Sequence, residues 1–181
     1  MGVAKKITTI IKSKTMALSF SDRIRNGEAA IVKRFQASYP VRVGELASEL
    51  GLTVTRSPLA PKISGLIQPS RTAMAGFEIR VNKYEIPERQ RFTVAHEIAH
   101  YLLHRDEIGS GVVDTIMYRS SLTSRKEVEA NRLAADIVMP IEAVKQELQR
   151  LGGQCTDDVV EVLADKFRVS VQAMKVRLGI I

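Results

Sequence analysis

The chain has 181 residues, of which 45% are hydrophobic and 26% charged, a composition typical of a globular protein with one domain and a small appendage. No apolar run reaches the roughly 18–20 residues that a membrane-spanning helix requires, so no membrane span is predicted. Cys155 is the single cysteine, which excludes an intrachain disulfide. The apolar stretch over residues 7–11 is too short for a secretory signal. We therefore expect a cytoplasmic protein.

The formal net charge of +7 is concentrated near the beginning of the chain. Residues 1–34 hold eight Lys and Arg against two acidic residues, whereas residues 35–181 hold nineteen against eighteen. We expect residues 1–20 to form a flexible basic arm. A solvated tail and a nucleic-acid contact are both compatible with this arm.

Hydrophobic periodicity and turn residues predict the elements in chain order. The first half is predicted to contain helices at about 21–35 and 43–50 and strands at about 52–55, 63–68 and 77–81. The third strand alternates apolar and polar residues, so one of its faces should be wet. The second half is predicted to be helical, at about 87–105, 125–139, 141–151, 157–167 and 170–178, with Pro140 ending the second of these helices.

The predicted helix over residues 87–105 carries two histidines at a spacing of four, with a glutamate after the first: His96, Glu97 and His100. A helix advances about 100° per residue, so the two imidazoles share one face about 6 Å apart and can bind one tetrahedral Zn²⁺ ion. Glu97 then lies beside the open coordination position, where it can accept a proton from the attacking water. The spacing therefore predicts a zinc site with a general base, and Mn²⁺ would fit the same donors.

His104 is the third and last histidine of the chain. It lies about 12 Å along the helix from His96, which is too far for the two to share one ion. We expect His104 either to support a ligand from outside the coordination sphere or to lie at the helix end, where its charge suits the helix dipole.

Because no further histidine remains, the third ligand is expected to be a carboxylate. The candidates are Asp106, Glu107, Asp114, Glu127 and Glu129. Glu127 shares a helix face with the small residues Ala130 and Ala134, whereas Glu129 faces a more mixed set. This pattern favours Glu127 over Glu129, and Asn131 is placed one turn beyond Glu127 to orient a ligand.

The last two predicted helices resemble a helix-turn-helix, and Gln172, Lys175 and Arg177 are expected to face outward from the second helix. Residues 155–181 nevertheless hold four acidic and four basic residues, a poor electrostatic match for DNA. Packing or protein recognition is therefore favoured for this segment, and DNA contact is possible but not favoured.

Two blocks of the sequence resemble the ImmA/IrrE family of metallo-endopeptidases. These are residues 91–104, around the paired histidines, and residues 127–140; the segments 79–82 and 118–120 add to the resemblance, which covers about residues 28–181. Leu133 stands where a phenylalanine is common, and Ile137 and Val138 stand where two leucines are common. Both departures exchange apolar residues and leave the chemistry untouched.

The resemblance implies zinc ligands at His96, His100 and Glu127, with Glu97 as general base. It also implies a protein substrate, typically a helix-turn-helix repressor or antitoxin, which the enzyme cleaves or whose cleavage it promotes.

A hydrogen-bond donor for the oxyanion is further expected, and Tyr118 is one candidate. Arg119 is another, and the alternative is that this pair is an ordinary feature of the surface. An extended substrate could add to the edge of the strand over residues 77–81.

These inferences predict an α+β fold in which a zincin-like metallopeptidase domain spans residues 21–153 and packs a small sheet on the helix with the paired histidines. The basic arm precedes it, and a helix-turn-helix-like segment follows over residues 154–181. The predicted function is a zinc-dependent endopeptidase; the alternative is a DNA-binding or toxin–antitoxin regulator whose metal site is not proteolytic. Because a structural zinc is normally closed by four protein ligands, an open fourth position favours catalysis.

Overall fold

The computed structural model of the protein describes residues 23–108 and 124–181, with Ser124 described by its backbone alone. Within these ranges the chain forms seven α-helices and a three-stranded sheet, the mixed α+β architecture that was predicted. The helices are α1 (Asn26–Gln36), α2 (Val43–Glu49), α3 (Pro87–His104), α4 (Ser124–Val138), α5 (Ile141–Arg150), α6 (Asp157–Phe167) and α7 (Val171–Leu178). The strands are β1 (Thr53–Ser57), β2 (Gly65–Pro69) and β3 (Phe77–Asn82).

The predicted elements and the observed ones agree in type and order throughout the described ranges. β1 extends two residues beyond its predicted end, because Ser57 pairs with Asn82 at the end of β3. None of the described helices combines the length and the hydropathy needed to cross a bilayer. The predicted arm over residues 1–20 lies outside the described residues, and the division of the chain at residues 153 and 154 stays a prediction.

The sheet has the order β1-β3-β2, with β3 parallel to β1 and antiparallel to β2. Ile79 at the middle of β3 pairs with Val54 on one side and with Ile67 on the other. The expectation that a substrate adds to the edge of residues 77–81 is therefore wrong, because both edges of that strand are already hydrogen-bonded. Alternation along a strand indicates which face is buried but not which strands are its neighbours.

β2 lies directly against α3 at Gly65. A Cβ atom on this residue would overlap the Cγ2 methyl of Thr93 and would lie 2.9 Å from the carbonyl oxygen of Arg80. The absence of a side chain at Gly65 thus allows the close approach of β2 to α3. Thr93 precedes His96 by three residues, so this contact holds the sheet over the turn of α3 that begins the histidine motif.

α3 and α4 pack against each other, and each helix carries small residues that are fully buried. Ala95 and Ala99 on α3 are fully buried, as are Ala130 and Ala134 on α4. Short side chains at a helix contact allow a small separation between the helix axes. The first turn of α4 is therefore brought within side-chain reach of the motif histidines.

A partly buried ion pair joins α1 to the residue that follows α3. Arg105 donates from both terminal nitrogens to the carboxylate of Glu28, with 2.6 Å between Nη1 and Oε1. The hydroxyl of Tyr101 donates to the same carboxylate at 3.2 Å. A two-pronged contact between a guanidinium and a carboxylate fixes orientation as well as distance, so the C-terminal end of α3 has a defined position.

α6 and α7 close on the same hydrophobic cluster as α3 and α4, through Phe167, Met174 and other buried residues. Two of the three side chains expected to face outward from α7 are instead engaged within the chain. Arg177 binds Asp136 at 2.7 Å and the Met139 carbonyl at 2.9 Å, and Lys175 binds Asp157 at 2.8 Å. The expectation for Arg177 was therefore wrong, because its side chain is 15% exposed and lies against Asp136, whereas Lys175, 29% exposed, pairs with the exposed Asp157 at the surface.

Glu147 on α5 is a buried carboxylate, 2% exposed, with three neighbouring donors. Lys166 lies 2.5 Å from Oε2, while the Tyr39 hydroxyl and Arg150 lie 2.5 and 2.6 Å from Oε1. The hydrogen bonds from Lys166 and Tyr39 outweigh the effect of burial and lower the pKa of Glu147 from 4.5 to about 2. The carboxylate thus links α5 to α6 and to the segment before α2.

We expect the Glu147→Gln variant to be less stable than the wild type at pH 7. A carboxyl group whose pKa is lowered in the folded state contributes stability above its unfolded pKa of 4.5, and this contribution is lost as the pH falls from 4.5 towards about 2. Urea unfolding at a series of pH values should show the gap between the two proteins closing over this window. Glu142→Gln, at an exposed pair with Lys145, is the control. A gap that stays constant down to pH 2 would contradict the assignment.

The Gly65→Ala variant should lose about 1–3 kcal/mol of folding free energy, because the added methyl group has no room beside Thr93 and the Arg80 carbonyl. Adding Thr93→Ser removes one of the two obstacles and should recover part of the loss in a double-mutant cycle. Gly44→Ala is the matched control: a Cβ there meets nothing within 4 Å, and alanine favours the helix. Equal effects of the two substitutions would disprove the close approach.

Candidate metal centre

The two motif histidines lie on α3, which begins with a proline at its first position and runs without interruption through His104. The Nε2 atoms of His96 and His100 lie 3.0 Å apart. The two rings meet edge to face at an interplanar angle of 75°. One helical turn thus directs two imidazole nitrogens at the same point, as the spacing predicted.

Glu127 reaches this point from the first turn of α4. Its Oε2 lies 3.4 Å from His96 Nε2, and its Oε1 lies 3.3 Å from His100 Nε2. A tetrahedron with metal–ligand bonds of about 2.0–2.1 Å has edges of about 3.3 Å. The two nitrogens lie close to this separation, and the two carboxylate distances, which run to different oxygens, bring Glu127 within reach of the same point. The three side chains can therefore hold a single small divalent ion, and the donor set suits zinc.

The cluster is buried on its helix side and open on another. His100 is 4% exposed, whereas the side chains of His96 and Glu127 are 13% and 35% exposed. Within the described residues, the group that could hold a metal consists of these three donors. Three protein ligands and one accessible side are the arrangement that leaves a coordination position for water or substrate.

Asn131 orients His96. Its Oδ1 lies 3.1 Å from His96 Nδ1, and an amide oxygen accepts a hydrogen bond. The proton of neutral His96 is therefore assigned to Nδ1, which leaves the Nε2 lone pair directed at the cluster. The structure thus places Asn131 where the sequence suggested, one turn beyond Glu127 and in contact with a motif histidine.

Glu129, the alternative to Glu127, lies elsewhere. Its carboxylate is 3.2 Å from His104 Nε2 and 3.0 Å from Arg23. Burial opposes ionisation of Glu129, but hydrogen bonds with His104 and Arg23 outweigh it and lower its pKa. Of the other acidic candidates, Glu107 pairs with Lys126 on the protein surface. Asp106 is exposed, and Asp114 lies outside the described residues.

Glu97 is 2% exposed, in the same turn of α3 as His96. On a helix it lies about 100° from His96 and about 60° from His100, at the flank of the face that carries the two imidazoles. Tyr118 and Arg119 lie outside the described residues, so the oxyanion donor stays a prediction.

Sequence reasoning left the role of His104 undecided and missed its partners. The structure places His104 in the protein interior, 5% exposed, with Nδ1 3.3 Å from the Nδ1 of His100. The spacing of four residues between His100 and His104 was the signal for this contact. Nothing along the chain indicated that Glu129 would complete it.

Comparisons with known proteins identify the family of this chain. The profile of the IrrE N-terminal-like domain family, peptidase family M78, matches residues 47–179. The chain is 33% identical over 102 residues to the radiation response metalloprotease IrrE of Deinococcus deserti, covering 56% of this chain and 34% of that protein. It is 34% identical over 95 residues to the protein of the same name from Deinococcus radiodurans, covering 52% and 28%. The aligned regions thus span about a third of these relatives.

A solved structure described as a Mycobacterium tuberculosis transcriptional regulator has a similar fold, with a TM-score of 0.55 at 17% identity over 88% of this chain and 49% of that one. The class that the family profile and these relatives define is a metalloprotease domain of mixed α+β architecture. The chain belongs to the ImmA/IrrE family, and the resemblance seen in the sequence is thereby confirmed.

Purified wild-type protein should carry about one zinc ion per chain by elemental analysis after dialysis. His100→Ala and Glu127→Ala should each lose most of it, because each removes one of three converging donors. Asp106→Asn, at an exposed carboxylate near the end of α3, should keep the wild-type content. Undiminished zinc in the Glu127→Ala protein would remove that residue from the ligand set, and circular dichroism would check that both alanine variants are folded.

Proposed function

We propose that the protein is a zinc-dependent endopeptidase of the HExxH type with a zincin-like site. The observation that supports this most strongly is the convergence of His96, His100 and Glu127 from two helices at separations suited to one ion. The open side of the cluster supports catalysis over a structural metal, which is normally enclosed by four protein ligands. Mn²⁺ remains an alternative, because the same donors suit it.

In this proposal His96, His100 and Glu127 hold the ion, which when bound would polarise the scissile carbonyl and make water more acidic. Glu97 acts as general base: its carboxylate accepts the proton of the attacking water and later delivers it to the leaving amine. The flank position of Glu97 on α3 supports this role. Tyr118 is proposed as a donor to the oxyanion.

We propose that the substrate chain pairs with the edge of β2. Hydrogen bonds from Asn82 N to Ser64 O and from Ser70 N to Gly76 O, each 2.8 Å long, bracket the β2–β3 ladder. Because bonded and non-bonded pairs alternate in an antiparallel ladder, the backbone groups of Gly65 and Ile67 point away from β3. β2 is an edge strand of the described sheet, so these groups would pair with an extended peptide once the residues that bury Gly65 and Ile67 move aside.

The position of β2 supports this choice of edge. Gly65 contacts Thr93, one turn before His96 on α3, so a peptide added to β2 would run close to the metal ligands. The main chain would supply affinity without regard to sequence, and side-chain contacts would supply specificity.

The substrate class that we propose is a helix-turn-helix repressor or antitoxin, which the family resemblance implies. The relatives named as radiation response metalloproteases support a protein substrate. Such a substrate would place the reaction in the cytoplasm.

A DNA-binding regulator with a non-proteolytic metal site is the second hypothesis. The likeness to a chain described as a transcriptional regulator is a likeness of fold. Against this hypothesis, the side chain of Arg177 is 15% exposed and pairs with Asp136, so it is not free to contact DNA phosphates. A gel-shift assay with a salt titration would support the regulator if binding were tight and sequence-specific.

The Glu97→Gln variant should keep its zinc and lose cleavage, with a rate lower by about 100- to 10,000-fold, because the general base is removed while the ligands remain. Wild-type and variant proteins would each be incubated with a lysate of the native host, and new protein N-termini would be identified by labelling and mass spectrometry. Wild type should produce a new N-terminus in a helix-turn-helix protein.

Glu88→Gln, at a half-buried position in the first turn of the same helix, is the matched control and should cleave normally. Cleavage by Glu97→Gln at the wild-type rate would refute the general-base role. New N-termini only in proteins without a DNA-binding domain would refute the proposed substrate class.

A further inference from the structure

A second titratable pair lies behind the metal ligands, in the protein interior. His104 is 5% exposed and Glu129 is 7% exposed, and neither belongs to the group of converging donors. Burying a histidine and a carboxylate away from water is unfavourable unless their polar atoms are paired. Their contacts therefore indicate what the pair does.

The contacts form a continuous chain that ends at a metal ligand. Glu129 Oε2 lies 3.2 Å from His104 Nε2, and His104 Nδ1 lies 3.3 Å from His100 Nδ1. At its outer end Glu129 is held by Arg23 at 3.0 Å and by Arg125 at 3.3 Å. The Nε2 atom of His100, on the opposite side of the ring, faces His96 and Glu127.

The carboxylate of Glu129 determines which ring nitrogen of His104 carries a proton and, with His104 neutral, which ring nitrogen of His100 does. An ionised carboxylate only accepts hydrogen bonds, so the Nε2 atom of His104 must carry a proton. The Nδ1 atom of neutral His104 then has a lone pair and accepts a hydrogen bond from Nδ1–H of His100. The Nε2 atom of His100 is left with its lone pair directed at the cluster, which is the form in which an imidazole binds a metal.

The opposite direction of the hydrogen bond between the neutral His104 and His100 side chains is unfavourable, both at Glu129 and at the metal cluster. A proton on His104 Nδ1 would leave a lone pair of Nε2 facing the lone pairs of Glu129. It would also make His100 Nδ1 the acceptor and place the proton of neutral His100 on Nε2, where it would block ligation. With His104 neutral, the geometry is therefore compatible with one arrangement of protons and with one ligating nitrogen on His100, whereas a doubly protonated His104 would donate to His100 Nδ1 and place the proton of neutral His100 on Nε2.

We infer that His104 and Glu129 are positioning residues that hold His100 in its metal-binding tautomer and orientation. This inference rests on the proposed metal site. It assigns different supports to the two motif histidines. His96 is oriented by the neutral amide of Asn131 near the surface, whereas His100 is oriented by a buried imidazole that a carboxylate and two arginines fix in turn. Such outer partners typically change metal affinity about 10- to 100-fold when they are removed.

The first test measures zinc affinity by competition with a chromophoric chelator, on the full chain. His104→Leu should weaken zinc binding about 10- to 100-fold. Glu129→Gln keeps the shape of the side chain and an acceptor oxygen, so it should weaken binding less, in the same direction. Tyr101→Phe is the matched control. It removes the hydroxyl of the residue that follows His100, which contacts Glu28 and takes no part in the hydrogen bonds from Glu129 to His100, so the zinc affinity should be unchanged.

The second test determines by NMR which ring nitrogens of His100 and His104 carry protons. The chain has three histidines, so long-range ¹H–¹⁵N correlation spectra of histidine-labelled, zinc-loaded protein can be assigned with single substitutions. We expect His104 protonated at Nε2 and His100 protonated at Nδ1. The reverse tautomer of His104 would overturn the inference even if His104→Leu were too unstable to measure.

The outcomes separate this inference from the proposed function. If His100→Ala loses zinc while His104→Leu and Glu129→Gln bind it as wild type does, the metal site stands and the positioning role is refuted. If His100→Ala binds zinc as tightly as wild type, the metal site and the positioning role fail together. A merely structural role for His104 would lower the thermal stability of the metal-free protein without changing zinc affinity.

Discussion

The structure depends on the close contact between α3 and α4. Each helix carries two fully buried alanines, whose short side chains suit a close approach, and Glu127 in the first turn of α4 lies at the imidazoles of α3. Neither helix could assemble the donor group alone, because one supplies nitrogen atoms and the other an oxygen atom. A larger side chain at any of these alanines would separate the donors while leaving both helices intact.

The rotation of α4 about its axis gives two glutamates different surroundings. Glu127 and Glu129 are two residues apart, so on a helix they point in directions about 200° apart. Glu127 meets the motif histidines, while Glu129 turns towards His104 and Arg23. One helix thus contributes the third donor of the cluster and the end of the hydrogen-bond chain behind it.

The sheet shows which structural features the sequence patterns predict and which they do not. The alternation of residues 77–81 correctly indicated a strand, yet it gave no reason to place that strand in the centre of the sheet. Pairing depends on contacts with residues distant in the chain, such as Ile67 and Val54 with Ile79. The same limit applies to α7, where Arg177 has the spacing of an outward residue but meets Asp136 of another helix.

The sequence by itself determined the helix that carries His96, Glu97 and His100, the face shared by the two histidines, and the order of the secondary structure. These features follow from local periodicity, because residues four apart on a helix are neighbours in any fold. The sequence favoured Glu127 over Glu129, but only the tertiary structure brought Glu127 to the histidines, placed His104 in contact with His100 and made β2 an edge. Each of these depends on how separate elements rotate and pack against one another, which no local pattern specifies.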